Sequence, residues 1–261
     1  MINVELKKGP HEYDVLVEGQ RLNFLCDYKP ESKNLIVFFH GLACSRSTFK
    51  YCSDYDYFSG CSLLLPDFIG FGRSSKSDQF SYTMEDQAYI CEQMMTLFPE
   101  VKLQIVAHSM GGAVALLFSA RLIERIDAFA NIEGNLISED CGMLSRGIAD
   151  LSLRDYSSRV FERHRARFLE DPALEFENTT PIAVHRSARS MVKWSDSGEL
   201  LERFEQLRCK TAYFWGEKNS DMPILQRLHG METFMIDGCG HGMMLENPKE
   251  FYLKLSEFLV S

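Results

Sequence analysis

The sequence predicts an α/β fold built on a mostly parallel, doubly wound sheet, with a helical segment inserted late in the chain. Three observations carry this. Short buried runs rich in Leu, Ile, Val and Phe alternate with amphipathic stretches of helical period, the pattern of successive βαβ units. Several runs end in glycine-bearing turns that hold His, Ser or Asp, and in open parallel sheets the chemistry gathers at strand carboxyl ends. From about residue 136 to 206 strand-like runs vanish, and helical periodicity with many charges takes over.

The elements follow in order. Val4-Glu5-Leu6 and Tyr13-Asp14-Val15-Leu16-Val17 alternate as edge strands do, and Glu18-Gly19-Gln20 reads as a hairpin turn before Leu22–Cys26. Leu35–Phe39 is a buried strand running into His40-Gly41-Leu42. A helix is expected near Ser47 to Tyr57. Ser62–Asp67 is a further buried strand, and Gly70-Phe71-Gly72-Arg73-Ser74 after it is a tight turn that shapes the pocket. It has the flavour of a phosphate cradle, but no P-loop lysine follows. Tyr82–Phe98 reads as a helix stopped by Pro99. Leu103–Ala107 and Ala128–Ile132 are the next strands, with a helix from Ala113 to Phe118 between them. Thr211–Trp215 and Thr233–Asp237 complete the sheet, and Asn247-Pro248 opens a last helix with Phe251, Leu255, Phe258 and Leu259 on one face. The division expected is a core of residues 1–135 and 207–261 and a helical cap of residues 136–206.

The most informative stretch is Ala107-His108-Ser109-Met110-Gly111-Gly112. It reads as strand, sharp turn, serine, helix. A serine hydroxyl is a poor nucleophile unless it is exposed, deprotonated by a base and followed by stabilisation of an oxyanion. The turn lifts Ser109 Oγ above the sheet at a helix N-terminus. Its strained backbone needs small residues two before and two after, filled here by Ala107 and Gly111. The bland alternative is a serine N-cap. The base predicted is His241, on the loop Gly238-Cys239-Gly240-His241-Gly242, which no regular element could tolerate. Cys239 lies close by but has no such turn, so it is the weaker nucleophile. The oxyanion donors predicted are the amide N–H groups of Met110, just after the serine, and of Leu42, which Gly41 turns towards the pocket.

His40-Gly41-Leu42, Asp67-Phe68-Ile69-Gly70-Phe71-Gly72-Arg73-Ser74, Ala107–Gly112 and Gly240-His241 together resemble the α/β-hydrolase superfamily over nearly the whole chain, from about Val15 to Val260. The resemblance implies the α/β-hydrolase fold, an eight-stranded sheet flanked by helices, and a Ser-acid-His triad. The third member departs from the usual pattern. Where many members carry an aspartate, in Gly216-Glu217-Lys218-Asn219-Ser220-Asp221, this chain has Asn219. Asp221 and Glu217 lie on the same loop. Glu133, at the end of the strand Ala128–Ile132, matches members such as haloalkane dehalogenases that carry the acid on that earlier strand, and it is the residue favoured. Those enzymes use a carboxylate where this chain has Ser109, which argues against dehalogenation.

Candidate substrate-binding residues are His108, Phe161 and Trp194, with Phe168, Phe176 and Met191 as further lining or simply the cap's own core. Arg159, Arg163 and Arg167 share one helix face, either as an anion-capturing row or as a solvated face.

Composition bounds the rest. Against 28 Lys and Arg stand 37 Asp and Glu, a net charge of −9, which disfavours nucleic acid as a partner. Eight scattered cysteines with no C-x-x-C pair fit reduced thiols. No stretch approaches a membrane span and the first residues carry no apolar signal core, so the compartment expected is the cytoplasm. His11, His40, His108, His164, His185 and His229 show no metal-ligand spacing, and neither metal nor cofactor is expected. The reading is a serine hydrolase acting on a small-molecule acyl substrate, a carboxylic ester or thioester. Rivals are a carbon–carbon bond hydrolase or peptidase on the same scaffold, and a non-catalytic ligand-binding receptor or signalling protein. Oligomeric state is not legible.

Overall fold

The Leu-, Ile-, Val- and Phe-rich runs pair as strands because β-branched and aromatic side chains pack well on a pleated surface. In this computed structural model, which describes residues 8–260 except 18, 100, 143, 172 and 173, they are β1 (Gly9–Val17), β2 (Gln20–Lys29), β3 (Asn34–Phe39), β4 (Ser62–Pro66), β5 (Lys102–His108), β6 (Ile126–Ile132), β7 (Lys210–Gly216) and β8 (Glu232–Ile236). The order across the single eight-stranded sheet is β1-β2-β4-β3-β5-β6-β7-β8. β1 and β2 form an antiparallel hairpin, β2 pairs antiparallel with β4, and the remaining pairs are parallel. This is the mostly parallel α/β-hydrolase fold. The strand expected at Val4-Glu5-Leu6, and Glu18 of the hairpin turn, lie outside the described residues.

Burial explains why β3 and β5 sit at the centre. Successive residues point to opposite faces, and both faces are covered. Val37, Phe39 and Ile105 pack on one side against Phe68, Met94 and Phe118. Ile36, Phe38 and Val106 pack on the other against Phe49, Phe58 and Phe251. Phe214 of β7 stacks on Phe234 of β8 with ring centroids 4.7 Å apart, and both meet Phe258 of the last helix edge-on. Each fully buried phenylalanine contributes roughly 1.5–3 kcal/mol by removal from water.

Three helix expectations change, the one from Ala113 to Phe118 because the helix begins at Met110, directly after Ser109, and ends at Ala115. The segment near Ser47–Tyr57 is two short 3-10 turns, Arg46–Ser53 and Asp56–Phe58, broken at Phe49 by non-helical backbone (φ −108°, ψ 22°). Its start is pinned because the Ser45 hydroxyl accepts the Ser47 N–H and Asp67 Oδ1 accepts the Arg46 N–H at 2.7 Å. The helix expected from Tyr82 is α1 (Met84–Met95), which starts later because Tyr82 is left-handed (φ 57°) and Thr83 is the N-cap, accepting the Asp86 N–H. After β5 the chain turns directly into α2 (Met110–Ala115).

Between β6 and β7 the described residues form no strand. They make short turns from Ser138 to Asp155, a π-helical turn Tyr156–Val160 that runs into the helix Phe161–Arg167, and then the helices Pro181–Ser197 and Glu199–Glu205. The long helix begins at a Thr180 cap with Pro181 in its first position and ends at left-handed Gly198 (φ 77°), the expected start and stop chemistry. Among the described residues no helix is long and apolar enough to cross a membrane.

Candidate active site

Ser109 sits between β5 and α2 with φ 52° and ψ −119°, a conformation that a side chain adopts only under strain. Three features hold it there. Its N–H donates to the Ile132 carbonyl at 3.0 Å, and its carbonyl accepts the Gly112 N–H at 2.9 Å. A Cβ on Gly111 would come within 2.6 Å of the Phe39 carbonyl oxygen, so only glycine lets α2 approach β3 this closely. Ala107 is fully buried in the core, its methyl filling the place that a glycine would leave empty.

The neighbouring strand ends in the same way. Glu133 follows β6, is left-handed (φ 41°), and its N–H donates to the Phe214 carbonyl at 3.0 Å. Asn131 Oδ1 accepts the Gly134 N–H at 2.7 Å, which bends the chain sharply after Glu133. A Cβ on Gly134 would lie 2.2 Å from that oxygen. His241 Nδ1 lies 2.7 Å from Glu133 Oε2. The Gly216 N–H donates to Glu133 Oε1 at 2.8 Å, and the Asn219 amide donates to both carboxylate oxygens at 2.9 Å. Burial alone would raise the Glu133 carboxyl. The His241 contact and the two neutral donors outweigh it, so the group is held below the usual carboxylate range.

Neither of the other two candidate acids contacts His241. Glu217 Oε2 accepts the Gly238 N–H at 2.8 Å, and Asp221 is exposed. Asn219 stands at the position where an aspartate is common, and its amide steadies the Glu133 carboxylate. Cys239 is buried, its thiol pushed up to about 11, burial being the largest cause. That disfavours the thiolate.

The His40-Gly41-Leu42 turn is built from buried groups. His40 Nε2 accepts the Phe68 N–H at 3.0 Å, and burial lowers its pKa, keeping the ring neutral. The Cys44 N–H closes a turn onto the Gly41 carbonyl at 3.3 Å, with Ala43 left-handed (φ 56°). The Leu42 N–H at the second position of this turn has no partner within it. Met110 is the first helical residue of α2, and its N–H has none within the helix.

Ser109 and His241 line one cavity of about 710 Å³, together with Gly41, Leu42, His108 and Asn135. The Ser109 hydroxyl donates to Asn135 Oδ1 at 3.3 Å. His108 is buried in the wall. Its Nε2 meets the His241 carbonyl oxygen at 3.1 Å, its ring centroid is 4.5 Å from that of His241, and burial holds its pKa well below the ordinary value. It therefore braces the histidine loop as a neutral ring.

On the helical segment Val160, His164, Arg167 and Phe168 face the cavity, with Leu174 and Met191. Phe161 and Trp194, expected as lining, do not. Phe161 starts a new helix after the π-helical turn, which carries its ring into the core against Tyr156 and Phe176 at 5.9 Å. Trp194 is covered by the Arg203 guanidinium, 5.7 Å from its ring centroid. Phe176 likewise packs away from the cavity, stacked on Phe168. Of the three arginines in the expected row only Arg167 reaches the cavity.

Asn135 and Asp140 are site residues that sequence reasoning missed. Asp140 Oδ2 accepts the Leu136 and Ile137 N–H groups at 2.9 and 3.0 Å, its Oδ1 is buried without a partner, and burial pushes its carboxyl up to about 7. Both residues follow a strand end in a segment with no motif to mark it.

Residues 36–254 match the family model described as the alpha/beta hydrolase family. A curated relative, an uncharacterised protein of Mycobacterium tuberculosis (strain ATCC 25618 / H37Rv), is 20% identical, with 76% of this chain and 67% of the relative covered. Among solved structures, an esterase from Exiguobacterium antarcticum is similar with a TM-score of 0.73 at 16% identity, over 92% of this chain and 97% of that one. The haloalkane dehalogenase DatA from Agrobacterium tumefaciens C58 is similar with a TM-score of 0.71 at 20% identity, over 97% of each chain. At these identities the structural likenesses speak to the fold.

Proposed function

This chain belongs to the alpha/beta hydrolase family, and on that premise we propose that it is a serine hydrolase cleaving a small carboxylic ester or thioester through an acyl-enzyme. The observation that carries the proposal is the pairing of His241 Nδ1 with the buried Glu133 carboxylate at 2.7 Å, on the wall of the cavity that holds Ser109. An imidazole so held presents Nε2 as the base.

The chemistry follows from these groups. The Ser109 hydroxyl turns from Asn135 to His241, gives up its proton and attacks the acyl carbon. The Leu42 and Met110 N–H groups receive the oxyanion. Glu133 stabilises the imidazolium, which then protonates the leaving group. Water attacks the acyl-enzyme with His241 again as base, and the acid departs. Cys239 and Cys44 take no part, because their thiols are held at about 11 and about 12 by burial. We assign residues 136–206 as a cap whose Val160, His164 and Phe168 restrict the cavity to small acyl groups.

Fluorophosphonate labelling tests the proposal. Wild type labels at Ser109, Ser109→Ala does not, and a panel of p-nitrophenyl esters and thioesters is hydrolysed with the same dependence. No label on the folded wild type, or cleavage confined to amides or carbon–carbon bonds, overturns it.

A further inference from the structure

Asn135 touches the nucleophile, yet the scheme above gives it no chemical task. Its residue is 5% exposed, and its Oδ1 accepts the Ser109 hydroxyl at 3.3 Å. Its Nδ2 donates to the Asp140 carbonyl at 3.0 Å, and its own carbonyl accepts the Ser195 hydroxyl at 3.1 Å from the helix Pro181–Ser197. The amide therefore cannot turn over without losing a bond, and the atom offered to the cavity is a fixed acceptor.

We propose that Asn135 Oδ1 holds the water that hydrolyses the acyl-enzyme and thereby selects water over alcohols as the acyl acceptor. The inference rests on the acyl-enzyme reading above. Once Ser109 Oγ carries the acyl group it has no proton to donate, and Asn135 Oδ1 is left as a buried acceptor without a donor. Water has two hydrogens. One goes to Asn135 Oδ1 and the other to His241 Nε2, leaving an oxygen lone pair for the acyl carbon. As the new C–O bond forms, His241 takes the water proton. The bond from the acyl carbon to Ser109 Oγ then breaks, His241 returns the proton to Oγ, and the Ser109 hydroxyl donates to Asn135 once more. An alcohol has a single hydroxyl hydrogen. It must give it to His241 to react, so it leaves Asn135 unsatisfied. One hydrogen bond made by water and not by alcohol corresponds to about a five- to tenfold preference.

The test is the product ratio from a p-nitrophenyl ester in aqueous methanol, which does not depend on how much of a variant is folded. Asn135→Ala is expected to raise the ratio of methyl ester to free acid about five- to tenfold. It is also expected to lower kcat and KM together, with kcat/KM within about threefold and an acyl adduct on Ser109 visible by intact mass spectrometry. Asn135→Asp keeps an acceptor but loses the Nδ2 anchor, and is expected to hold the product ratio near wild type. If both variants leave the ratio unchanged, or if Asp shifts it as far as Ala, the amide is only a brace for the loop and the proposal falls. If wild type labels with fluorophosphonate but forms no acyl intermediate from esters, the proposal also falls while the reactive serine stands. If wild type does not label, the hydrolase reading itself has failed.

Discussion

Glu133→Gln isolates the electrostatic half of the site with little change of shape. The carboxylate lies 2.7 Å from His241 Nδ1. At an effective dielectric near 20, two unit charges at that distance attract by roughly 6 kcal/mol. Glutamine removes that attraction when the imidazolium forms. It also turns one donor towards a site where Gly216, Asn219 and His241 already supply donors. At 1.36 kcal/mol per decade, most of this interaction appears as a fall in kcat of about 10³–10⁴. KM is expected to stay within about threefold, because the Glu133 side chain is not among the cavity-lining residues. Steady-state hydrolysis of a p-nitrophenyl ester measures both, with thermal unfolding as the control for integrity. The reasoning also fixes a sign with pH. A carboxyl held below its ordinary value contributes above pH about 4.5 and loses that contribution as pH falls through its folded value. A kcat for folded Glu133→Gln within tenfold of wild type, or a loss of the same size in Asp221→Asn, would refute the assignment.

Further outcomes follow from other contacts. Asp140 has a carboxyl raised from 3.8 to about 7, so the folded state favours its neutral form, and stability is lost as pH rises towards and through 7. Asp140→Asn should remove up to roughly 3 kcal/mol of the difference in urea-melt stability between pH 5 and pH 8, and an unchanged difference would show that the carboxyl is ordinary. Gly111→Ala places a methyl 2.6 Å from the Phe39 carbonyl oxygen and should lower stability by about 1–3 kcal/mol with loss of labelling. A normally stable, fully labelled variant would mean α2 is free to shift. Arg167→Gln should raise KM about three- to tenfold for esters bearing a carboxylate and leave neutral esters unchanged. Arg163→Gln, which lies off the cavity, should alter neither, and equal effects of the two would make the anion preference a long-range field.

Much of the fold was legible because buried strands carry a dense local signal, as Leu35–Phe39 and Leu103–Ala107 do, and because the turns beside them have chemical signatures in Gly41, Gly111 and Gly240. The Ser109 turn was legible for the same reason. The contact between Glu133 and His241 spans 108 residues, and no local pattern states it. The nearest clue was negative, an asparagine where an acid is common. Phe161 and Trp194 misled because helical periodicity shows that a residue is buried but not beneath which neighbour, and a π-helical turn rotated the face. Asn135 and Asp140 were invisible because their significance depends on where the chain bends after Gly134.

The neutral company of Glu133 has a consequence for how this site can be adjusted. If the loop after β7 carried the acid itself, substitution there would delete the charge. Here that loop contributes a carboxamide, so a replacement at Asn219 only changes how firmly the charge is gripped. Changes there grade the hold on the carboxylate that faces His241 without removing it, so this loop can vary while the acid stays in place.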